Sequence, residues 1–314
     1  MGNSQLTPSK LAAYPEWDLS IAQMKLISKA DGSEVYRVET GKGEIRYVRT
    51  VTEELVGNIR EIQSLKEPIG LPPISVYSGN IPIIIMQPAP GDPLSRVLPV
   101  SLLPIVWKFK RSSLKQAFRQ IGGQLGRLHK LTKYGCQPAI ETPSFNKYIS
   151  QSYNFEDQFD ESISTEIQLV KDAVRDVPLQ CGRIFTDRTP HNIFYDGSNI
   201  THIDFTFNRD AIIQDVLTTE RAIELAVSRL PYGRDVHLTQ LTQAFRQGYQ
   251  SGYPEYELPD IITKLQIIMD CYLLSWYQST AGHKIGARLT KNSDISLLKS
   301  RIITSLEECH GSNK

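Results

Sequence analysis

The run Arg183-Ile184-Phe185-Thr186-Asp187-Arg188-Thr189-Pro190-His191-Asn192-Ile193-Phe194-Tyr195, followed by His202-Ile203-Asp204-Phe205, carries the residue types that chemistry on a phosphate requires. Asp187 sits on a short polar loop, where a carboxylate can orient a hydroxyl or accept its proton. Asn192 and Asp204 offer the hard oxygen ligands that Mg²⁺ prefers. Their separation along the chain is no obstacle. Asn192 to Tyr195 and Asn199 to Ile203 read as strands around the turn Asp196-Gly197-Ser198, and such a hairpin brings its ends together. The same residues also make an ordinary turn, because Asp, Pro and Asn all favour turns. The elements around the loop have to decide between a turn and a site.

Those elements fall into a β-rich part and a helical part. Residues 1–14 read as a flexible tail. Glu34 to Glu39 and Ile45 to Val51 alternate like strands, with turns at Asp31-Gly32-Ser33 and Gly41-Lys42-Gly43. Glu53 to Leu65 has helical spacing of Leu55, Ile59, Ile62 and Leu65, with Thr52 as N-cap. Ile74 to Tyr77 and Ile81 to Met86 are two further strands. Pro88-Ala89-Pro90-Gly91-Asp92-Pro93 then denies regular structure and reads as a linker. Beyond it, Ser113 to Leu131, Ile163 to Val177, Val216 to Leu230, Leu238 to Tyr249, Ile261 to Tyr277 and Ile295 to Leu306 are helical. The reading is α+β in two lobes: residues 15–90 as a small antiparallel-sheet lobe with one helix, and residues 91–314 as a larger, mostly helical lobe that holds the polar loop.

Composition sets outer limits. A chain of 314 residues can bury one large core or two lobes. Lys plus Arg number 35 against 34 Asp plus Glu, a formal net charge of +1, so no overall field favours nucleic acid or an anionic membrane. Cys136, Cys181, Cys271 and Cys309 are far apart and form no CxxC pair. That argues against a zinc site or a disulfide framework and for a reducing, cytoplasmic setting. The first ten residues lack the apolar core of a signal peptide. Ile261 to Tyr277 is interrupted by Lys264, Gln266 and Asp270, so it reads as a buried helix and not a membrane span.

The order of β-rich lobe, proline-glycine hinge, helical lobe, polar loop and final Asp resembles the protein-kinase-like fold. More closely, it resembles the aminoglycoside phosphotransferase and choline kinase family. Members commonly read His-Gly-Asp-Xaa-His-Pro-Xaa-Asn-Ile-Leu, then a hairpin, then Ile-Asp-Phe or Ile-Asp-Trp. Asp187, Pro190, Asn192, Ile193, Ile203, Asp204 and Phe205 match in register. Gln214-Asp215-Val216 is similar to the family's Tyr-Asp-Leu, Gly126-Arg127-Leu128-His129 to its Ala-Xaa-Leu-His helix, and Gly91-Asp92-Pro93-Leu94 to its Pro-Gly-Xaa-Pro-Leu. The likeness runs from about Leu26 to Leu230. Phe185 and Thr186 depart from the usual His-Gly, and Thr189 from the second His.

The resemblance implies an ATP- and Mg²⁺-dependent phosphotransferase that moves the γ-phosphate to a hydroxyl of a small molecule, of an aminoglycoside, choline or sugar-like kind. It implies Asp187 as the catalytic residue, Asn192 and Asp204 as metal ligands, and Asp215 as a structural brace. Adenine would lie near Val35 and Met86 and bond the backbone at Gln87 and Ala89. In place of a GxGxxG loop the chain has only Asp31-Gly32-Ser33, which reads either as a turn cradling phosphate at Ser33 or as a plain hairpin turn. The usual ATP-anchoring lysine is missing from Arg46-Tyr47-Val48-Arg49-Thr50-Val51. Strand alternation puts Arg49 on one face and Thr50 on the other, so Arg49 is the candidate cation in one register and there is none in the other. Glu61 matches the glutamate that pairs with that cation, and it also reads as a surface residue of its helix. The altered Phe185 and Thr186 and the missing lysine keep open a catalytically silent module that binds a nucleotide or a partner. Phe155 to Glu161, an acidic stretch that also reads as a solvated loop, and Trp276 with Tyr277, whose spacing also fits a helix core, are candidates for meeting an amine-bearing acceptor.

Overall fold

Alternating side chains build a five-stranded antiparallel sheet early in the chain. In this computed structural model, residues 6–14, 17, 20–30, 33–151, 159–185, 189–228, 234–279 and 285–311 are described. A short helix α1 (Pro8–Ala12) precedes strands β1 (Ile21–Ala30), β2 (Ser33–Thr40) and β3 (Ile45–Thr50). Helix α2 (Glu53–Ser64) follows, then β4 (Ile74–Tyr77) and β5 (Ile83–Met86), and the sheet order is β1-β2-β3-β5-β4. Along β2 every second residue is buried. Tyr36 and Val38 enter a small core with Val48, Ile83 and Ile85. Leu6 and Leu11 complete that core, so residues 6–14 pack on the sheet where the sequence suggests a flexible tail.

Helix α2 starts where Thr52 Oγ1 accepts from the Leu55 N–H at 3.2 Å, and Glu53 and Glu54 suit the positive end of its dipole. Its Leu55, Ile59 and Ile62 join Ile84 in a second, much larger core that runs through the helical part. The two cores are thus divided by the sheet and not by the proline-glycine stretch.

That stretch contributes a strand, β6 (Asp92–Pro93), where the sequence suggests only a linker. After it come α3 (Leu94–Ser101), α4 (Pro104–Thr132), β7 (Gly135–Pro138), α5 (Pro143–Ser150), α6 (Glu161–Val174), β8 (Pro178–Ile184), β9 (Ile193–Tyr195), β10 (Ile200–His202) and β11 (Asn208–Ala211). Helices α7 (Ile213–Ser228), α8 (Arg234–Gly252), α9 (Ile262–Ser279) and α10 (Ile285–Gly311) complete the order. Two small sheets, β10-β9-β6 and β11-β8-β7, sit against these helices. β6 pairs Asp92 with Tyr195 and Pro93 with Phe194, stitching the connection onto the hairpin. Gly91 permits this: its φ is +82°, and a Cβ there would lie 2.1 Å from the Tyr195 carbonyl oxygen. Helices α4 and α8 approach backbone to backbone, and a Cβ on Gly122 would lie 2.1 Å from the Phe245 carbonyl oxygen. No helix among the described residues is long and apolar enough to cross a membrane.

Candidate active site

Between the five-stranded sheet and the β9–β10 hairpin lies a cleft of about 400 Å³. Ile27, Val35, Tyr47 and Met86 line it from the sheet, Gln87, Pro88 and Ala89 from the connection, and Phe194 and Ile203 from the hairpin side. Ser33, Arg49, Asn192 and Asp204 give it a polar end. Ser33, Arg49, Met86, Gln87, Ala89, Asn192 and Asp204, all singled out in the sequence, therefore face one cavity. Ile27, Tyr47, Phe194 and Ile203 are additions. Tyr47 is readable from the sequence by alternation, two residues before Arg49 on the same strand face.

The strand register settles which side chain of β3 faces the cleft. Arg49 lies opposite Val35 on β2 and Ile84 on β5. Thr50 points the other way, where its hydroxyl accepts from the Glu34 N–H at 2.8 Å. Arg49 Nε donates to Ser33 Oγ at 3.2 Å, and Nη1 donates to Asp204 Oδ1 at 2.7 Å. Ser33 Oγ in turn donates to the Thr50 carbonyl at 2.7 Å, so the cation is held from two directions. Asp31 and Gly32, the rest of the expected phosphate turn, lie outside the described residues.

The hairpin brings Asn192 and Asp204 to the same cavity. β9 and β10 pair Ile193 with His202 and Tyr195 with Ile200, and the Ile203 N–H donates to the Asn192 carbonyl at 2.9 Å. The turn is held by Asp196, whose carboxylate accepts from the Ser198 and Asn199 N–H groups at 2.8 and 2.7 Å. Those backbone donors hold the Asp196 carboxyl down at about 2. His202 is buried and donates from Nε2 to Gln124 Oε1 at 2.9 Å, fixing the hairpin to α4. Asp204 itself has φ +55°, a left-handed conformation uncommon outside glycine, and its carboxylate is half exposed.

Thr186, Asp187 and Arg188 lie outside the described residues, but the chain on either side is anchored. The Phe185 N–H donates to Asp215 Oδ2 at 2.8 Å. The Asn192 N–H donates to the Thr189 carbonyl at 2.9 Å, and the Ser95 N–H to the Pro190 carbonyl at 3.0 Å. Asp215 is fully buried at the start of α7. The same Oδ2 accepts from His129 Nε2 at 3.3 Å, and His129 Nδ1 meets the Tyr249 hydroxyl at 2.9 Å. Burial raises the Tyr249 phenol well above its ordinary value, so it remains a donor to that nitrogen. Phe185 packs against His202 and Phe207, at ring separations of 4.8 and 5.1 Å.

Glu61 departs from expectation. It does not pair with Arg49 and does not line the cleft; its Oε2 accepts from Arg183 Nη2 at 2.5 Å. Arg183 Nη1 also donates to the Phe207 carbonyl at 3.0 Å. The physical reason is burial: Arg183 on β8 is withdrawn from water and requires a carboxylate, whereas Arg49 finds Asp204. Arg183 has no role that the sequence makes visible, and nothing in local spacing marks a contact spanning 122 positions. Of the acceptor candidates, 155–158 of the acidic stretch lie outside the described residues, while Asp160 caps α6. Trp276 is 48% exposed with its ring against Tyr277.

The polar end suits a magnesium ion held mainly by phosphate oxygens. Asn192 and Asp204, an amide and a carboxylate, line the cavity, and such a pair with phosphate and water is the usual protein share of a magnesium site. Among the described residues there is no cluster of three His, Cys, Asp or Glu side chains that would form an all-protein cage.

No family profile and no curated protein sequence matches the chain. Solved structures do. A glucosamine kinase in complex with glucosamine, ADP and inorganic phosphate superposes with a TM-score of 0.55 at 12% identity, over 93% of this chain and 98% of that one. A macrolide 2′-phosphotransferase from Brachybacterium faecium gives 0.51 at 9% identity, over 91% and 98%. A choline/ethanolamine kinase family protein from Mesorhizobium loti gives 0.51 at 11%, over 95% and 97%. The chain thus has, over nearly its whole length, the bilobal kinase-like fold of these small-molecule kinases. At such identities the likeness is one of fold.

Proposed function

We propose that the protein is an ATP- and Mg²⁺-dependent phosphotransferase that moves a γ-phosphate to a hydroxyl of a small molecule. The observation that carries this reading is the single cleft in which Arg49, Asn192 and Asp204 meet at one end of an apolar slot. Adenine would occupy the slot between Val35, Met86, Phe194 and Ile203. The Gln87 N–H is already given to the Pro73 carbonyl at 3.2 Å, so the Gln87 carbonyl is the acceptor for adenine's amino group, and the Ala89 N–H is the matching donor. Arg49 would hold phosphate oxygens, a task suited to a guanidinium. When bound, magnesium would supply charge neutralisation between the phosphates, with Asn192 and Asp204 as its protein ligands.

Asp187 would align the acceptor hydroxyl and take its proton as that oxygen bonds the γ-phosphorus and ADP leaves. Asp215, through the Phe185 backbone, would set where the loop bearing Asp187 begins. Positioning and electrostatics carry most of the rate in such transfers, so little else is asked of the protein. The acceptors in the printed names of the similar structures (glucosamine, a macrolide, choline or ethanolamine) support a hydroxyl on an amine-bearing or sugar-like molecule.

One observation favours a second reading, a silent module that binds a nucleotide or a partner: Arg49 occupies Asp204, the carboxylate that magnesium needs. A single experiment separates the two. The full chain is incubated with Mg·ATP and a panel of amino sugars, macrolides, aminoglycosides and amino alcohols, and ADP release is read against product mass. Acceptor-dependent ADP release with a phosphorylated product supports the transferase. Nucleotide binding with no turnover across the panel supports the silent module.

A further inference from the structure

We propose that the end of α3 and the first turns of α4 form a docking surface for an anionic lipid bilayer. Four large apolar side chains stand in water within ten residues: Val100 is 58% exposed, Leu103 47%, Ile105 77% and Phe109 81%. Ile105 and Phe109 are one turn apart and share a helix face, while Trp107 between them turns into the core. Solvated apolar residues occurring singly are ordinary, but four within ten residues mark a contact surface.

Charge indicates the kind of surface it meets. From Pro93 to Ile140 the sequence holds Arg96, Lys108, Lys110, Arg111, Lys115, Arg119, Arg127, Lys130 and Lys133, and no Asp or Glu at all. Among the described residues only Lys130 of these has a carboxylate partner, Glu255 at 3.0 Å. Lys108, Lys110 and Arg111 are exposed and flank Ile105 and Phe109. The near-neutral total thus conceals a strongly cationic segment. Apolar tips ringed by free cations are the composition of a helix that lies in a headgroup layer, with the tips entering the acyl boundary and the cations meeting anionic headgroups.

Two other occupants fit less well. A second copy of this chain on a two-fold axis would set the same cations against one another. A nucleic acid would answer the cations but leaves Ile105 and Val100 without a role. The surface also lies one short helix away from Pro190. The first turn of α3 bonds Pro190 through the Ser95 N–H, and α3 is only eight residues long. The proposal is independent of the phosphotransfer reading, since it uses none of the cleft residues.

The test is sedimentation of the full chain with vesicles of phosphatidylcholine, with and without phosphatidylserine. The chain should partition onto the phosphatidylserine vesicles, weakly onto phosphatidylcholine alone, and less as salt rises. Ile105→Ser with Phe109→Ser should lower partition at least about tenfold. Lys108→Ala and Lys110→Ala should each lower it by about fivefold. These side chains are exposed, so the melting temperatures of the variants should match the parent. No partition onto phosphatidylserine at low salt would overturn the proposal. So would equal partition of the Ile105/Phe109 variant, or light scattering showing a dimer that this variant dissolves. Displacement from vesicles by a nucleic acid that binds parent and variant alike would assign the surface to nucleic acid instead.

Discussion

Arg49 of the sheet grips Asp204 of the hairpin at 2.7 Å, closing the polar end of the cleft with an ion pair. On the proposed function, a bound nucleotide would have to offer Arg49 phosphate oxygens in place of the carboxylate that magnesium would take. Arg49→Met should weaken Mg·ATP binding about ten- to a hundredfold, the scale of one charge-assisted hydrogen bond. Isothermal titration measures this, and an unchanged affinity would remove Arg49 from the nucleotide site.

Asp187→Asn removes a base while keeping size and polarity. Mg·ATP affinity should stay near that of the parent, and turnover of an identified acceptor should fall at least about a hundredfold. Parent-like turnover in the variant would end the catalytic assignment.

The partner of Glu61 is open to direct measurement. A double-mutant cycle over Arg183→Met and Glu61→Gln should give a coupling of about 0.5–3 kcal/mol in unfolding free energy. The corresponding cycle over Arg49 and Glu61 should give none. The opposite pattern would restore the pairing that the sequence suggests and contradict the bond between Glu61 and Arg183.

Asp215→Ala orphans two donors, the Phe185 N–H and His129 Nε2. Each buried donor left without an acceptor costs about 1–3 kcal/mol. Chemical denaturation should show a loss of that order, and turnover should fall in the fraction that remains folded. A variant as stable as the parent would show that Asp215 braces nothing.

The hairpin turn should respond to acid. The carboxyl of Asp196 lies below its ordinary 3.8, at about 2, because the folded turn donates to its charged form. A depressed carboxyl contributes stability above the higher value and loses it as pH falls through the lower one. Asp196→Ala should therefore melt below the parent at neutral pH, and the gap should close as pH falls from about 4 to about 2. A gap independent of pH would mean that the side chain acts without its charge.

Much of this arrangement is legible in the sequence, for physical reasons that differ by element. β3 and β2 have one face on a core and one on the cleft, so period-two alternation narrows the choice to Arg49 or Thr50, and only the pairing with Val35 and Ile84 selects Arg49. The hairpin is readable because Asp196-Gly197-Ser198 is a strong turn between two apolar runs. α4 begins at Pro104, nine residues before the sequence suggests. Its first turns expose Ile105 and Phe109, which spoils the one-sided pattern on which a helix assignment depends. α3 holds Pro99 and β8 opens on Pro178, both of which read as breaks. β6 is two residues long and exists only because Tyr195 and Phe194 are there to pair with it. Contacts such as Arg183 with Glu61 belong to the tertiary fold alone, and no local period encodes them.

The sharing of one core by α2 and the helical part bears on what a fragment of this gene would do. Cutting the chain at the proline-glycine stretch would release a piece with Leu55, Ile59 and Ile62 turned to water, their packing partners left behind on the other piece. Such a fragment would need those partners supplied in trans before its sheet was of any use. Swapping the first ninety residues between relatives would have to carry the matching surface of the helical part with it.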